Sequence, residues 1–167
     1  STYKVVANLP YYAAIPILRR FLEADHRPSV MVIMLQREVA NVVVAERGKM
    51  GMLSVAVQVY GKPRMVCTVP PRAFKPSPKV RSAVIRIDVY PSPAVELGSH
   101  LEFFRLVRAG FSAPRKQLRN SLSMGMDLSP SEVELILLAT DIDPKRRAQT
   151  VTLGEWARRY QTLLERT

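Results

Sequence analysis

The feature that most constrains the fold is the alternation of short apolar runs with helical patterns in the first part of the chain. Lys4–Ala7 and Ser29–Leu35 are short and apolar, which predicts fully buried β-strands. Ile15–Ala24 carries apolar residues at helical spacing, and Arg37–Arg47 shows a second helical pattern that Gly48 ends. Strands that alternate with helices predict an α/β fold with a parallel sheet.

Two further strands are predicted without a helix between them. Met52–Tyr60 fits a helix or a strand, and Gly61–Pro63 ends it. Arg64–Val69 and Val80–Val89 alternate between the two faces of a strand. Because no helix joins these two strands, we expect them to form an antiparallel edge or insertion in the sheet.

A proline-rich break divides the chain. Tyr90–Pro93 ends the strand pattern. We therefore predict an α/β domain over residues 1–92, a linker over 93–99 and an all-α domain over 100–167. The four predicted helices of that domain are His100–Phe111, Pro114–Met124, one from Ser129 to about Ala139, and one that begins at Thr152. The last two begin with sequences that resemble helix caps.

The composition favours a polyanionic partner. The 167 residues carry a net charge of +11, and 47% of them are hydrophobic, so the chain can bury a core. Such a charge favours nucleic acid over membrane, although a generally basic soluble protein is the alternative. The longest apolar run, Val30–Leu35, is too short to span a bilayer. Cys67 is the only cysteine, so we predict no internal disulfide and no cysteine-based metal set, and we expect a reducing cytoplasmic compartment. His26 and His100 are far apart in sequence and lack carboxylates at ligand spacing, so we predict no metal site.

The stretch Asn8–Tyr11 carries the candidate chemistry. Asn8 offers a side-chain carbonyl, Pro10 offers a backbone carbonyl on a loop of fixed φ, and Tyr11 offers an aromatic face. These groups suit methylation of the exocyclic amino group of a base. Two acceptors on its hydrogens pull the nitrogen towards tetrahedral geometry and free its lone pair. The alternative is a tight turn in which Asn8 caps backbone groups.

Two further segments combine basic residues with aromatic ones. Val69–Val84 places Phe74 in a proline-stiffened loop flanked by lysines and arginines. Phe111–Leu122 places three cations on little more than one helical turn. Cations that neutralise phosphates, together with aromatic rings that stack on bases, are typical of nucleic-acid contacts.

In combination, these motifs resemble the rRNA adenine N6,N6-dimethyltransferases of the KsgA type. Gln36–Ala40, Leu53–Val55 and Arg147–Leu153 also match the pattern of that family, and all the segments occur in family order. The macrolide-resistance rRNA methyltransferases share the first half of the pattern. The helical tail with Arg115–Asn120 favours the KsgA type.

The resemblance implies roles by position. Asn8, Leu9, Pro10 and Tyr11 are implied to form the catalytic loop, with Asn8 also against S-adenosylmethionine, and Phe74 to flank the flipped adenine. The residues implied to face RNA phosphates are Lys75, Lys79, Arg81, Arg115, Lys116, Arg119, Arg146 and Arg147. Three alternatives stay open: a core role for Phe74, a merely solvated basic face, and helix capping by the last two arginines.

The resemblance also implies an activity and a partner. The implied enzyme dimethylates two adjacent adenines in a hairpin near the 3′ end of small-subunit rRNA during ribosome assembly. Its partner is that rRNA or the assembling small subunit. One alternative is a non-catalytic nucleic-acid-binding factor on the same scaffold, and another is a basic helical adaptor.

The sequence departs from the family pattern at the cofactor-binding half. The family places a glycine-rich loop after its first strand and acids after its second and third strands, and these are not found here. We therefore expect the C-terminal half of a Rossmann-like methyltransferase sheet followed by a small helical domain. We expect this fragment to be inactive alone and to show no measurable binding of S-adenosylmethionine. An exposed edge at Val5–Asn8 would invite self-association.

Overall fold

A computed structural model describes residues 2–96 and 98–164 of the chain. The chain forms two compact units: residues up to Ala45 with Ala56–Ala94, and Glu46–Val55 with residues from Val95 onward. The strands are β1 (Lys4–Asn8), β2 (Val30–Gln36), β3 (Gly61–Val69) and β4 (Ser82–Val89). The helices are α1 (Ala14–Leu22), α2 (Arg37–Val43), α3 (Met52–Gln58), α4 (His100–Gly110), α5 (Leu118–Met126), α6 (Pro130–Ala139) and α7 (Leu153–Leu164).

The first unit contains a mixed four-stranded sheet in the order β1-β2-β4-β3. β1 pairs with β2 in parallel, whereas β4 pairs antiparallel with both β2 and β3. The predicted antiparallel pair is therefore confirmed, but of its two strands β4 lies inside the sheet and β3 lies at an edge. The prediction of a parallel sheet holds for the β1–β2 pair alone.

β1 is an edge strand, and the prediction that it is fully buried is wrong. Its residues alternate between exposed and half-buried, and the Val6 side chain is 82% exposed. The buried layer of the sheet comes from the two central strands instead. Met31 and Ile33 pair with Ile87 and Ile85, and all four are fully buried.

Three boundaries differ from the predicted ones by three residues or more, because of contacts that the local pattern does not reveal. α2 ends at Val43, where the Gln58 amide donates to the carbonyls of Val43 and Ala45 at 3.0 and 2.9 Å. α5 begins only at Leu118, whose N–H donates to the Arg146 carbonyl at 2.6 Å. β3 begins at Gly61, which pairs with Val89 of β4, and it includes Pro63, which an edge strand tolerates.

The second unit contains α4–α7, which are the four helices predicted. α6 has a capping box, since Glu132 N–H donates to Ser129 Oγ and Ser129 N–H donates to the Glu132 carboxylate. α7 has the same pattern between Thr152 and Glu155. Trp156 on α7 is buried in this unit. Among the described helices, none is both long enough and apolar enough to cross a membrane.

Candidate active site

The loop after β1 is anchored at one residue and open at the next. Leu9 is buried, and its N–H donates to the Met34 carbonyl at 3.1 Å. Pro10 has an extended backbone (φ −62°, ψ 133°), and its carbonyl accepts from Ala13 N–H at 3.0 Å in a 3-10 turn. A carbonyl oxygen has two lone pairs, so Pro10 retains capacity to accept a second hydrogen bond.

The side chain of Asn8 is exposed at the end of β1. Within the described residues it makes no hydrogen bond, and it does not cap the 3-10 turn that follows. The capping role considered for Asn8 is therefore not what the structure presents. The amide is available to a ligand.

All five residues proposed for catalysis line one cleft of about 230 Å³ in the first unit. The lining residues are Asn8, Leu9, Pro10, Tyr11, Phe74, Pro76 and Pro78. Phe74 is half-buried and contributes to the cleft wall instead of being enclosed in the core. An amide, a carbonyl and two aromatic rings thus come together, although Phe74 lies more than sixty residues along the chain from the other four. This combination can hold a planar base and accept hydrogen bonds from its amino group.

Sequence reasoning missed Ser82, which contacts this cleft loop. The hydroxyls of Tyr11 and Ser82 lie 2.6 Å apart. Ser82 is fully buried although it lies on the opposite face of β4 from Ala83, Ile85 and Ile87. The sequence carries no signal for this contact, because Ser82 is one residue of an alternating strand and only the fold reveals that it is buried.

The residues predicted to face RNA fall into two groups. Six are exposed and make no ion pair within residues 2–96 and 98–164; they are Lys75, Lys79, Arg81, Arg115, Lys116 and Arg147. The other two are partly buried and paired. Arg119 donates to Glu134 at 2.7 Å, and Arg146 donates to Glu155 at 2.7 and 3.0 Å.

Arg146 and Glu155 form the most enclosed ion pair among the described residues, with side chains 20% and 13% exposed. Hydrogen bonds from Arg146, opposed by burial and supported by the N–H of Thr152, lower the pKa of Glu155 to about 2. The hydrogen bond to Glu155 raises the pKa of Arg146. Arg146 Nε also donates to the hydroxyl of Thr150 at 3.1 Å. This arginine therefore ties the segment before α7 to the first turn of that helix.

A family model and individual known sequences both match this chain, and their descriptions agree. A family model described as "Ribosomal RNA adenine dimethylase" matches residues 1–164. Ribosomal RNA small subunit methyltransferase A of Dehalococcoides mccartyi is 46% identical over 155 residues, which are 92% of this chain and 53% of the relative. The protein of the same name from Alkaliphilus oremlandii is 43% identical, over 92% of this chain and 54% of the relative. The chain thus spans about half the length of the relatives it matches.

Two solved structures have a fold similar to that of this chain. The chain is similar to a dimethyladenosine transferase from Plasmodium falciparum, with a TM-score of 0.81 and 21% identity over 99% of this chain and 66% of the other. It is also similar to the 23S rRNA methyltransferase ErmE, with a TM-score of 0.70 and 23% identity over 98% of this chain and 66% of the other. At these identities the likeness concerns the fold alone.

Proposed function

Because the chain belongs to the ribosomal RNA adenine dimethylase family, we propose that the protein dimethylates adenines of small-subunit rRNA at N6. Its targets are two adjacent adenines in a hairpin near the 3′ end, and the reaction takes place in the cytoplasm during assembly of the small subunit. The names of the relatives from Dehalococcoides mccartyi and Alkaliphilus oremlandii support the choice of subunit.

The observation that carries the proposal is the composition of the cleft. Asn8 and Pro10 offer carbonyl oxygens at the same cleft that Tyr11 and Phe74 line with aromatic rings. A target adenine has to leave its stack before an enzyme reaches its amino group, and aromatic rings compensate for the lost stacking. The cleft supplies the rings and the acceptors together.

The chemistry of the amino group explains why these acceptors matter. The N6 lone pair is delocalised into the purine ring, so the nitrogen is a poor nucleophile. In the first methyl transfer the Asn8 amide oxygen and the Pro10 carbonyl each accept an N6–H, so that the nitrogen becomes more tetrahedral and its lone pair is freed. The monomethylated nitrogen has one N6–H left, which engages one of the two acceptors in the second transfer. No general base with a shifted pKa is needed for this activation. The bond between the methyl carbon and the sulfonium sulfur would break as the N–C bond forms, and the positively charged N6 would then release its proton to water.

S-adenosylmethionine is the methyl donor of this family, and when bound it supplies an electrophilic methyl group on a sulfonium. The open amide of Asn8 fits a contact with that donor, because the side chain is exposed and makes no hydrogen bond within the described residues. We assign Asn8 this second role, and we assign no other described residue to the donor.

We propose that the six exposed cations contact RNA phosphates. They are Lys75, Lys79, Arg81, Arg115, Lys116 and Arg147. The first three belong to the segment that carries Phe74, so that phosphate contacts and base contacts arise from the same stretch of chain. Arg119 and Arg146 are already paired with acids, and we propose that their main role is to stabilise helices α5 and α7 and not to contact RNA.

A second candidate function is a nucleic-acid-binding factor without methyl transfer. The six exposed cations favour it, because their charge would bind RNA whether or not the cleft is active. The two candidates separate in one experiment with the full-length protein, labelled S-adenosylmethionine and unmethylated small subunits. Label transferred to rRNA is expected. Saturable subunit binding without label transfer would support the binding factor instead.

We further propose that the outer edge of β1, which has no strand partner within the described residues, mediates self-association of the 167-residue chain. Exposed edges offer unpaired N–H and C=O groups to another strand.

A further inference from the structure

One hydrogen bond links the candidate catalytic loop to the centre of the sheet. The hydroxyls of Tyr11 and Ser82 are 2.6 Å apart, although the two residues are 71 positions apart in sequence. Ser82 is 0% exposed and Tyr11 is half-buried. Either hydroxyl can donate, so the bond satisfies a buried polar group in both arrangements.

Ser82 is a rigid partner because of where it lies in the sheet. It is the first residue of β4, and it is paired with Gln36 of β2 on one side and with Val69 of β3 on the other. Strand ladders on both sides fix its backbone, and burial restricts its side chain. The neighbouring Arg81 carbonyl accepts from Arg37 N–H at 3.0 Å, which holds the entry to β4 as well.

Tyr11 is thereby fixed at both of its ends. Its backbone begins the 3-10 turn in which the Pro10 carbonyl accepts from Ala13 N–H. At the far end of the ring, its hydroxyl is hydrogen-bonded to the hydroxyl of Ser82. The ring between these two points lines the cleft. Stacking on a base depends on where the ring lies, and misplacement by about 1 Å can cost on the order of a hundredfold in rate.

We propose that Ser82 is a positioning residue for methyl transfer, which holds the Tyr11 ring where it stacks on the target adenine. This inference rests on the proposed function. A purely structural serine would stabilise the sheet and leave the rate per folded molecule unchanged. A positioning serine lowers kcat when its hydroxyl is removed, even though it never contacts RNA or the methyl donor.

A double-mutant cycle in the full-length protein tests this role. Ser82→Ala and Tyr11→Phe remove the same hydrogen bond from its two ends, and Tyr11→Phe keeps the stacking ring. We expect each variant to lower kcat for rRNA methylation roughly tenfold with KM for RNA changed less than about twofold. The double variant should be no slower than either single one, because the bond can be lost only once. Ser82→Thr, which keeps a hydroxyl, should recover most of the rate.

Two controls separate positioning from general damage. Tyr12→Phe removes a hydroxyl from the neighbouring tyrosine, whose side chain is 91% exposed, and should leave kcat unchanged. Ser54→Ala removes another fully buried serine hydroxyl, which accepts from Gly51 N–H at 2.9 Å, and should lower stability without lowering kcat per folded molecule.

The outcomes that overturn the inference are specific. Wild-type kcat in Ser82→Ala or in Tyr11→Phe overturns it, as do losses that multiply to roughly a hundredfold in the double variant. If the Ser82 variants fail to fold, Tyr11→Phe alone decides. An inactive wild type would overturn the proposed function and this inference together, whereas an active wild type with an equally active Ser82→Ala overturns only the inference.

Discussion

At the residue scale, the hydrogen bonds of Arg146 give one of the predicted RNA-facing residues a different task. Its guanidinium contacts Glu155 and Thr150, so that the segment before α7 is joined to the helix. The neighbouring Arg147 is exposed and makes no ion pair within the described part of the chain. The sequence presents two adjacent arginines, and only the fold separates the paired one from the open one.

This pairing makes stability depend on pH. Because the pKa of Glu155 falls to about 2 in the folded chain, its contribution is complete above its ordinary pKa and is lost as the pH falls towards 2. We expect Glu155→Gln to lower the free energy of unfolding by about 1–3 kcal/mol at neutral pH, with the gap to wild type closing between roughly pH 5 and 2.5. Urea unfolding across that pH range measures the gap.

Glu132→Gln is the matched control, since Glu132 also serves a capping box but is fully exposed. Hydrogen bonds from the Ser129 side chain and backbone lower its pKa, and no arginine adds to them. The difference in free energy of unfolding between wild type and Glu132→Gln should therefore be smaller than the difference between wild type and Glu155→Gln. A Glu155→Gln gap that stays constant down to pH 2.5 would contradict the assignment.

At the element scale, the sequence predicts where strands and helices occur better than where they end. The four strands, the four helices after the break and the N-terminal caps of α6 and α7 are as predicted, because these features depend on local periodicity and local hydrogen bonds. The start of α5 and the end of α2 depend on Arg146 and Gln58, which are distant in sequence. Burial of β1 also depends on strand order, which periodicity does not encode.

The outer edge of β1, which has no strand partner among residues 2–96 and 98–164, leads to a prediction about the 167-residue chain. We expect it to self-associate at micromolar concentration, because an exposed edge pairs readily with a second copy. Val6→Lys should shift the chain towards monomer, since a charge on an edge strand opposes pairing. Val66→Lys is the matched control, because Val66 is 50% exposed and lies on β3, the edge strand at the other side of the sheet. Sedimentation velocity that shows a monomer at every concentration would exclude this proposal.

At the scale of the whole molecule, the predicted family is confirmed by the match over residues 1–164. The cleft could be predicted only in part. Asn8–Tyr11 is a contiguous motif that the sequence shows directly, whereas the role of Phe74 beside the base follows only from the resemblance. Ser82 was missed because its contact with Tyr11 arises from the order of strands in the sheet.

The division of the cations gives a prediction for RNA affinity. Affinity for RNA falls as salt rises, so log affinity plotted against log salt has a negative slope. Replacing Arg115 and Lys116 together by glutamine should make this slope less steep by about 2, because two phosphate contacts are lost. Arg119→Gln should change the slope by less than about 1, because Glu134 already neutralises that guanidinium. Binding of the full-length protein to small-subunit rRNA across a salt series measures both slopes. Equal changes per charge removed would contradict the division.

The most direct test of the central claim is the amount of N6,N6-dimethyladenosine formed in unmethylated small subunits by the full-length protein, measured by mass spectrometry of the digested rRNA. We predict product from wild type and from Asn41→Ala, in which another exposed asparagine is removed from α2. Asn8→Ala should form product on the order of a hundredfold more slowly, because the amino group loses one of its two acceptors. Dimethyladenosine formed at the wild-type rate by Asn8→Ala, or subunits bound by wild type and left unmethylated, would contradict the claim.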